Sequence, residues 1–301
     1  MRLAVLASPE SWYLRDLKRA AGERHTLEVL PFSLISASTF GGQTRFVSAE
    51  NDLAAFDAVL VRTMPPGSLE QVIFRMDALL RLEASGTPVF NPPRAIEAAV
   101  DKFLTTALLQ KAGFLVPRTI VCQDADQAMA AFAELGGRVV VKPLFGGEGR
   151  GITRLDDDQL ALRAFKMLIQ LGAVLYLQEF IEHEGFDLRL FVCGQKVLGM
   201  RRRNPHDWRT NVSRGARTEP LELTAEMVDL ARRAAAATGA ILAGVDLLPA
   251  RDGGVYVLEV NAVPGWRALA RTLDVDIAAL VLDELSRDHA ASASAGRNSS
   301  R

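Results

Sequence analysis

The sequence predicts an α/β protein whose later part is of the mixed α+β kind, and two observations lead to this prediction. Over residues 1–90, short apolar runs alternate with helix-like segments, which is typical of a mostly parallel sheet. Towards the end of the chain, two apolar runs are separated only by a turn signal, which is typical of an antiparallel hairpin. A chain of 301 residues with 49% apolar residues is long enough for two or three compact units.

The first predicted unit, residues 1–92, is a small α/β domain. Strands are expected at 3–7, 27–31, 58–62 and 88–90, and helices are expected at 12–21 and 69–84, where the apolar residues have helical spacing. Gly86 can end the second helix. The Asn91-Pro92-Pro93 stretch then interrupts the pattern and indicates the first domain boundary.

The second predicted unit, residues 93–178, begins with a helix at 102–111. Asp101 can cap this helix and Gly113 can end it. Strands are expected at 118–122, 138–141 and 174–180, helices at 126–135 and 158–170, and a glycine-rich loop at 145–151. The third unit, residues 179–285, is expected to contain strands at 187–193, 196–202, 242–248 and 255–260 and a helix at 225–238. Residues 286–301, rich in Ser, Ala and charge, are expected to be a disordered tail.

The composition argues against several classes of function. A formal net charge of −1 does not favour broad binding to nucleic acids or membranes. The two cysteines, Cys122 and Cys193, have no paired spacing for a disulfide framework or a zinc site, which suits a reducing cytosol. The apolar run after Arg2 is too short for a signal peptide, and no run approaches the ~20 apolar residues that span a membrane. A cytoplasmic protein is therefore expected.

Residues 244–265 predict a hairpin with polar side chains on one face. Two apolar runs flank Arg251-Asp252-Gly253-Gly254, a turn signal. A four-residue loop would put Asp246 directly opposite Glu259, and a two-residue loop would put it one step diagonal. In either register Asp246, Glu259 and Asn261 share a face, whereas a slip of one residue would separate them. These oxygen ligands suit Mg²⁺, although a solvent-exposed hairpin face would also explain them.

Residues 139–152 have the pattern of a phosphate-binding loop. Lys142 ends an apolar strand, where its charge would be poorly solvated without an anion. Four glycines then allow the backbone to approach a phosphate closely and to present its N–H groups: Gly146, Gly147, Gly149 and Gly151. The segment matches neither a Walker A loop nor a dinucleotide-binding fingerprint, and a mobile hairpin tip is the alternative interpretation.

Considered together, the motifs over about residues 90–285 resemble those of RimK-like ATP-grasp ligases, the alpha-L-glutamate ligase family. The matching residues, in family order, are Lys102, Lys142, Gln178-Glu179-Phe180-Ile181, Asp187 with Arg189, Arg209-Thr210-Asn211, Asp246 and Glu259-Val260-Asn261. Each motif alone is weak, but their joint order and spacing are specific. The resemblance implies an ATP-grasp fold, in which a small Rossmann-like N-terminal domain precedes two α+β subdomains that clamp ATP.

The resemblance also implies roles for these residues. Lys102, Lys142 and the glycine loop would bind the ATP phosphates, and Asp246, Glu259 and Asn261 would bind two Mg²⁺ ions, with Mn²⁺ as an alternative. The remaining nucleotide-binding residues would be Gln178, Glu179, Phe180, Ile181, Asp187, Arg209, Thr210 and Asn211. An arginine-rich strip over 201–217 suits carboxylates and phosphates. Catalytic roles are expected for Arg189, Arg202, Arg209 and Asn211.

The implied reaction is ATP-dependent amide formation through an acylphosphate, with release of ADP and phosphate. The expected partners are ATP, L-glutamate and a small-molecule or peptide acceptor, without nucleic acid or membrane, and a homo-oligomer is compatible with this function. The acceptor alternatives are a cofactor precursor of the tetrahydromethanopterin type, a ribosomal protein tail or an amino-group carrier protein. A catalytically inactive nucleotide-binding regulatory protein is the alternative from another class. Nucleic-acid binding is suggested only by the arginine strip, and it would be strongly salt-dependent.

Overall fold

The computed structural model describes residues 1–147 and 149–298, with side chains described outside 291–298. In these ranges the strands are β1 Arg2–Leu6, β2 Thr26–Leu30, β3 Ile35–Phe40, β4 Gln43–Ser48, β5 Asn51–Asp52, β6 Ala58–Val61, β7 Val89–Phe90, β8 Thr119–Cys122, β9 Val139–Lys142, β10 Thr153–Leu155, β11 Leu175–Glu179, β12 Phe186–Cys193, β13 Lys196–Arg203, β14 Arg217–Pro220, β15 Leu242–Pro249 and β16 Val255–Asn261. The helices are α1 Trp12–Ala21, α2 Leu69–Ala84, α3 Pro93–Val100, α4 Lys102–Lys111, α5 Ala125–Glu134, α6 Asp158–Gln170, α7 Ala225–Thr238, α8 Arg267–Leu273 and α9 Ile277–Asn298.

The N-terminal unit contains a four-stranded parallel sheet in the order β2-β1-β6-β7, as the alternation of strands and helices predicts. Leu3 and Leu6 of β1 are fully buried, which is typical of a parallel sheet covered on both faces. Helix α2 begins at a capping box, in which Ser68 Oγ accepts a hydrogen bond from Gln71 N and Gln71 Oε1 accepts one from Ser68 N.

A small antiparallel sheet, β3-β4-β5, is absent from the sequence prediction. Strands β3 and β4 form a hairpin with a Gly41-Gly42 turn, and both glycines have positive φ, 60° and 77°, as a tight two-residue turn requires. Most β3 side chains are exposed, so the segment lacks the alternating apolar signal on which a strand prediction depends. Ile35 and Phe46 anchor this sheet in the N-terminal core.

The central unit is an antiparallel sheet in the order β10-β9-β11-β8, and its two faces differ in chemistry. Val141 and Leu177 pack in an apolar core with Phe165 of α6. Successive residues of a strand point to opposite faces, so Lys142 and Gln178, which follow them, lie on the other face. The strand pattern therefore produces one packed face and one polar face.

The C-terminal unit is a five-stranded antiparallel sheet in the order β14-β13-β12-β15-β16. Its core is shared with the N-terminal unit, since one apolar cluster includes Val59 of β6, Leu190 of β12 and Ala234 of α7. A second cluster joins α1 and α9 to Phe191 around the fully buried Trp266. The N- and C-terminal units are thus packed together, whereas the central unit has an apolar core of its own.

Helix α3 occupies the position where the sequence predicted only a boundary. It begins at Pro93, and the first position of a helix tolerates proline because no backbone N–H is needed there. Both α3 and α4 pack against β16, and α4 also packs against α7. The domain limits at 92/93 and 178/179 stay predictions. Strands β10 and β14 and helix α8, all short, were also not predicted.

The expected disordered tail needs a correction. Residues 286–298 belong to α9, whose first turns are anchored by the buried Ile277, Val281 and Leu285, and residues 299–301 lie outside the described residues. Extending an existing helix costs far less than starting one, so an Ala- and Ser-rich segment can continue α9. No helix in the described ranges is both long enough and apolar enough to cross a membrane.

Candidate active site

A cleft lies between the polar face of the central sheet and the C-terminal sheet, and it brings together residues that are distant in sequence. The predicted site residues that line it are Lys142, Gln178, Glu179, Phe180, Ile181, Asp187, Arg209, Thr210, Asn211, Asp246 and Glu259. The glycine loop forms a separate concavity, lined in part by Gly146, Gly147 and Gly151. Arg189 and Arg202 do not line the cleft but contact Asp246, which does.

The C-terminal hairpin brings Asp246 and Glu259 face to face with the help of a β-bulge. Pairing starts with Pro249 opposite Val255, so residues 250–254 form the turn. If this register continued, Asp246 would lie opposite Leu258, and Glu259 would point to the other face. A register shift between Asp246 and Leu247 restores the pairing of Asp246 with Glu259. The predicted facing pair is confirmed, although the turn is longer than either loop considered from the sequence.

Two arginines and two aspartates form an alternating buried network next to the cleft. Arg189 Nη1 donates to Asp246 Oδ1 at 2.6 Å. Arg202 lies between the two carboxylates, with Nε donating to Asp187 Oδ1 at 2.7 Å and Nη2 3.0 Å from Asp246 Oδ2. Burial by itself would raise the pKa of Asp246, but the charges of Arg189 and Arg202 outweigh burial and hold the pKa below its usual value. Asp246 is therefore kept as a carboxylate.

Two lysines from different elements approach Glu259 at the same part of the site. Lys142 Nζ donates to Gln178 Oε1 at 2.5 Å, and Lys102 Nζ donates to Gly146 O at 2.6 Å. Burial lowers the pKa of Lys142 to about 8, while the charge of Glu259 opposes this shift and that of Lys102 adds to it. Burial also lowers the pKa of Lys102, again against Glu259. This arrangement of two desolvated ammonium groups suits an anion with several oxygens, such as a phosphate chain.

Phe180 provides an aromatic surface in the cleft. The ring of Trp208 lies edge-on to it, with 5.7 Å between ring centroids, and the Arg154 guanidinium lies 4.1 Å from the Phe180 centroid. Glu179 Oε1 accepts a hydrogen bond from Arg118 N at 2.8 Å. Trp208 therefore packs against Phe180 and also lines the cleft.

The glycine loop contacts the C-terminal loop that carries Arg209 and Asn211. Gly149 has a φ of 70°, and a Cβ atom at this position would overlap the Asn211 carboxamide, so only glycine fits here. Arg209 is ion-paired with Asp207 at 2.7 Å, and its Nη1 donates to Ile152 O at 3.3 Å. The two loops thus meet across the site.

Asn91 is a residue of this site that sequence reasoning missed. It is buried, and its carboxamide forms four hydrogen bonds: Oδ1 accepts from Ile241 N and Leu242 N, and Nδ2 donates to Leu242 O and Ala262 O. Because Ala262 follows Asn261 directly, these bonds anchor the end of the hairpin. An asparagine before two prolines has the appearance of a turn, so the sequence contains no signal for this role.

The chain matches known proteins over most of its length. A model described as the RimK-like ATP-grasp domain matches residues 99–285. The chain belongs to the RimK-like ATP-grasp family. It is 32% identical to the tetrahydromethanopterin:alpha-L-glutamate ligase of Methanosarcina acetivorans, over 93% of this chain and 97% of that protein. It is also 29% identical to a probable alpha-L-glutamate ligase of Picosynechococcus sp., over 96% of this chain and 97% of that protein.

Solved structures confirm the ATP-grasp fold of this RimK-like protein. The ATP-grasp ligase PsnB, complexed with minimal precursor, Mg and ADP, superposes with a TM-score of 0.74 at 25% identity, over 95% of this chain and 97% of that chain. A RimK domain ATP-grasp protein from Sphaerobacter thermophilus has a TM-score of 0.71 at 24% identity, over 94% of this chain and 99% of that chain. The RimK-like chain is thus an ATP-grasp ligase that forms carbon–nitrogen bonds, and this family uses ATP with Mg²⁺.

The hairpin of this RimK-like ligase fits Mg²⁺ by the chemistry of its donors. Within the described residues, no hydrogen bond or ion pair engages the Glu259 carboxylate, and burial together with the charge of Asp246 raises its pKa. A cation would compensate this excess negative charge. Asn261 Oδ1 accepts from Val263 N at 2.8 Å and retains a second lone pair. No group of three His, Cys, Asp or Glu residues suitable for a metal occurs in the described ranges, so an oxygen set here needs the Asn261 amide.

Proposed function

We propose that this RimK-like ATP-grasp ligase adds L-glutamate to an acceptor through an acylphosphate. The observation that carries the proposal is the approach of Lys102 and Lys142 to Glu259, beside a cleft that also contains Asp246 and the Phe180 surface. A nucleoside triphosphate has a matching form, with a flat base at one end and a polyanion at the other. The glutamate assignment is supported by the names of curated relatives that match almost the whole chain.

In the proposed reaction, the terminal phosphate of ATP passes to a substrate carboxylate. An amine then attacks the acylphosphate, forming the amide and releasing phosphate, while ADP remains as the other product. Lys102, Lys142 and the N–H groups of the glycine loop would bind phosphate oxygens. Arg209 and Asn211 would contact the transferred phosphate. Catalysis would come from positioning and from fixed positive charge, because little covalent chemistry is needed from the protein.

Asp246, Glu259 and Asn261 would hold Mg²⁺, as two ions, with Mn²⁺ able to replace it. The metal would supply positive charge that neutralises the phosphate oxygens. In this proposal Arg189 and Arg202 act through the carboxylates that they bind, since their guanidinium groups contact Asp246 and Asp187.

The nucleoside would occupy the remainder of the cleft. The base would lie against Phe180 near Glu179 and Ile181, and Asp187 would lie at the ribose. The side chain of Gln178 contacts a phosphate-binding lysine instead, because its oxygen accepts a hydrogen bond from Lys142 Nζ. Thr210 and Asn211 would close the nucleotide site from the C-terminal loop.

We propose a small cofactor precursor of the tetrahydromethanopterin type as the acceptor, because relatives named for that substrate match at 30–32% identity over most of the chain. A peptide tail is the second candidate, because PsnB was solved with a precursor peptide. The peptide candidate depends on a more distant likeness, at 25% identity.

The test combines ADP release with mass spectrometry. Purified protein is incubated with ATP and Mg²⁺, each proteinogenic amino acid, and a pterin-based acceptor, a peptide acceptor or an amino-group carrier protein. We expect ADP release that needs both glutamate and an acceptor, and a product heavier by one glutamyl unit. Tight ATP binding without turnover on any combination would favour the nucleotide-binding regulatory alternative. Turnover only with the carrier protein would favour that acceptor instead.

A further inference from the structure

A buried chain of hydrogen bonds leads from Lys142 through Gln178 into the protein, where it reaches Tyr176, Thr119 and Thr106, which the proposed reaction does not use. Lys142 Nζ donates to Gln178 Oε1, and Gln178 Nε2 donates to Tyr176 Oη at 2.8 Å and to Thr119 Oγ1 at 2.9 Å. Tyr176 Oη lies 2.7 Å from Thr106 Oγ1. Tyr176 and Gln178 are 1% and 2% exposed, so water cannot easily replace these bonds.

Strand pairing explains why these side chains meet. Tyr176 lies directly opposite Lys142, and Gln178 lies directly opposite Thr119. Since Tyr176 and Gln178 are two residues apart on β11, both pairs occupy the polar face of the central sheet. The apolar core of the central unit packs on the other face.

The donors and acceptors of this chain of hydrogen bonds determine which way the Gln178 side-chain amide faces. Thr119 Oγ1 donates its proton to Pro117 O at 2.8 Å, so it can only accept from Gln178. Tyr176 has a single hydroxyl proton, and when it donates this proton to Thr106 it also accepts from Gln178. Both N–H bonds of the Gln178 amide are then used, and its oxygen is directed at Lys142.

Thr106 connects this chain to the second lysine. It lies on α4 four residues after Lys102, and residues at this spacing share one face of a helix. Lys102 N lies 3.3 Å from Leu144 O, and Lys102 Nζ reaches Gly146 O, so the start of α4 also contacts the segment after β9. The Tyr176–Thr106 contact therefore joins the strand beside Lys142 to the helix that carries Lys102.

We propose that Tyr176 is a positioning residue for the phosphate-binding lysines, acting through Gln178 on Lys142 and through Thr106 on the helix of Lys102. This inference rests on the proposed function, because it assumes that the two lysines bind ATP phosphates. Loss of the Tyr176 hydroxyl removes one acceptor from the Gln178 amide. One N–H of the amide is then left without a partner and only Thr119 still holds it, so the Gln178 side chain can shift and take the bonded Lys142 ammonium away from its phosphate-binding position.

The test compares Tyr176→Phe with the wild-type protein in binding to ATP and to AMP by titration calorimetry with Mg²⁺. The substitution removes only the hydroxyl and keeps the ring in place. We expect affinity for ATP to fall roughly 5- to 10-fold, in line with the loss of one well-placed hydrogen bond, and affinity for AMP to be unchanged. Thr106→Val, which removes the other hydroxyl of the pair, should change affinity in the same direction.

The matched control is Tyr256→Phe, because the Tyr256 hydroxyl bonds to Asp252 in the hairpin turn, and we expect both affinities to be unchanged there. A loss of ATP and AMP affinity in equal measure, or no loss at all, in both Tyr176→Phe and Thr106→Val would overturn the positioning role and leave the proposed function intact. A wild-type protein that binds neither nucleotide would overturn both.

Discussion

Lys142 is an ammonium group in a buried site, and its binding to phosphate should therefore depend on pH. Burial lowers its pKa to about 8, so the group is mostly charged at pH 7 and mostly neutral well above pH 8. Only the charged form attracts phosphate. We expect the affinity for ATP to fall by up to roughly ten-fold for each pH unit above the pKa, as measured by calorimetry.

The control for this pH profile is Lys142→Arg. A guanidinium stays protonated throughout this pH range. The ATP affinity of the variant should therefore not fall above pH 8, whatever its value at pH 7. An equal fall of ATP affinity with pH in the wild type and the variant would show that a group other than Lys142 titrates.

Glu259 is predicted to be needed for turnover but not for folding. Its carboxylate lies opposite that of Asp246, and burial together with this like charge raises its pKa, so Glu259→Gln removes a charge that is disfavoured in the folded protein. We expect ADP release to be lost and the urea midpoint of unfolding to be the same or higher. Full activity in this variant would remove Glu259 from the site.

Single residues could be predicted from sequence where they violate a local pattern. Lys142 and Asp246 are charged residues in apolar strands, and the family motif adds Lys102, which would otherwise have been interpreted as an exposed helix lysine. Asn91 and Tyr176 are different, because a buried asparagine before prolines and a tyrosine in a strand have ordinary structural explanations. Their roles depend on partners far away in sequence, such as Leu242 and Thr106.

Among the structural elements, the glycine loop leads to a prediction about Gly149. Alanine at this position would need a φ of 70° and would overlap Asn211. We expect Gly149→Ala to reduce turnover by about ten-fold or more, because the loop can no longer approach the C-terminal loop in the same way. Thermal unfolding, which reports the core, should change little.

Gly42→Ala provides the matched control for this substitution. Gly42 also has a positive φ, but no atom lies within 4 Å of a Cβ built on it. Both variants thus introduce similar backbone strain, and only Gly149→Ala introduces the overlap. Equal activity in the two variants would show that the overlap with Asn211 does not matter.

Elements with strong caps and periodicity were predicted closely, and others were not. Helices α1, α2, α4, α6 and α7 begin and end where the sequence predicts, and four of them start after a capping side chain: Ser68, Asp101, Asp157 and Thr224. The bulge in β16 could not be foreseen, because nothing in Val257-Leu258-Glu259 distinguishes a regular strand from a bulged one. The prediction that Asp246 lies opposite Glu259 was therefore correct, although neither of the turn lengths considered from the sequence was.

At the scale of the whole molecule, the distribution of cores predicts how the protein opens. The N- and C-terminal units share apolar clusters, whereas the central unit has its own. We expect native-state hydrogen exchange to show that the N- and C-terminal units open together as one cooperative unit and that residues 119–179 open separately.

The glycine loop at 145–151 should respond to the nucleotide. Saturating ATP with Mg²⁺ should slow hydrogen exchange and proteolysis in this loop. An unchanged rate of exchange and proteolysis at 145–151 would contradict this expectation. Simultaneous exchange of all three units would contradict the expected separate opening of the central unit.

The order of units along the chain was predicted from sequence, but their association was not. Alternation of strands and helices identifies a unit by local pattern, whereas a shared core depends on surfaces that are distant in sequence. Trp266 illustrates the difference, since its ring contacts Tyr13 at 5.0 Å and its Nε1 donates to Asp16 at 2.9 Å, both near the other end of the chain.

The network of Asp187, Arg189, Arg202 and Asp246 has a consequence for the response of the enzyme to salt. Dissolved ions screen charges only where they can approach them, and these four residues are each at most 8% exposed. Chloride and sodium ions therefore have little access to these Asp–Arg ion pairs, which should keep their geometry at high salt concentration as in dilute buffer. Any loss of activity at high ionic strength would then originate at the entrance of the cleft, where a polyanionic substrate is first attracted.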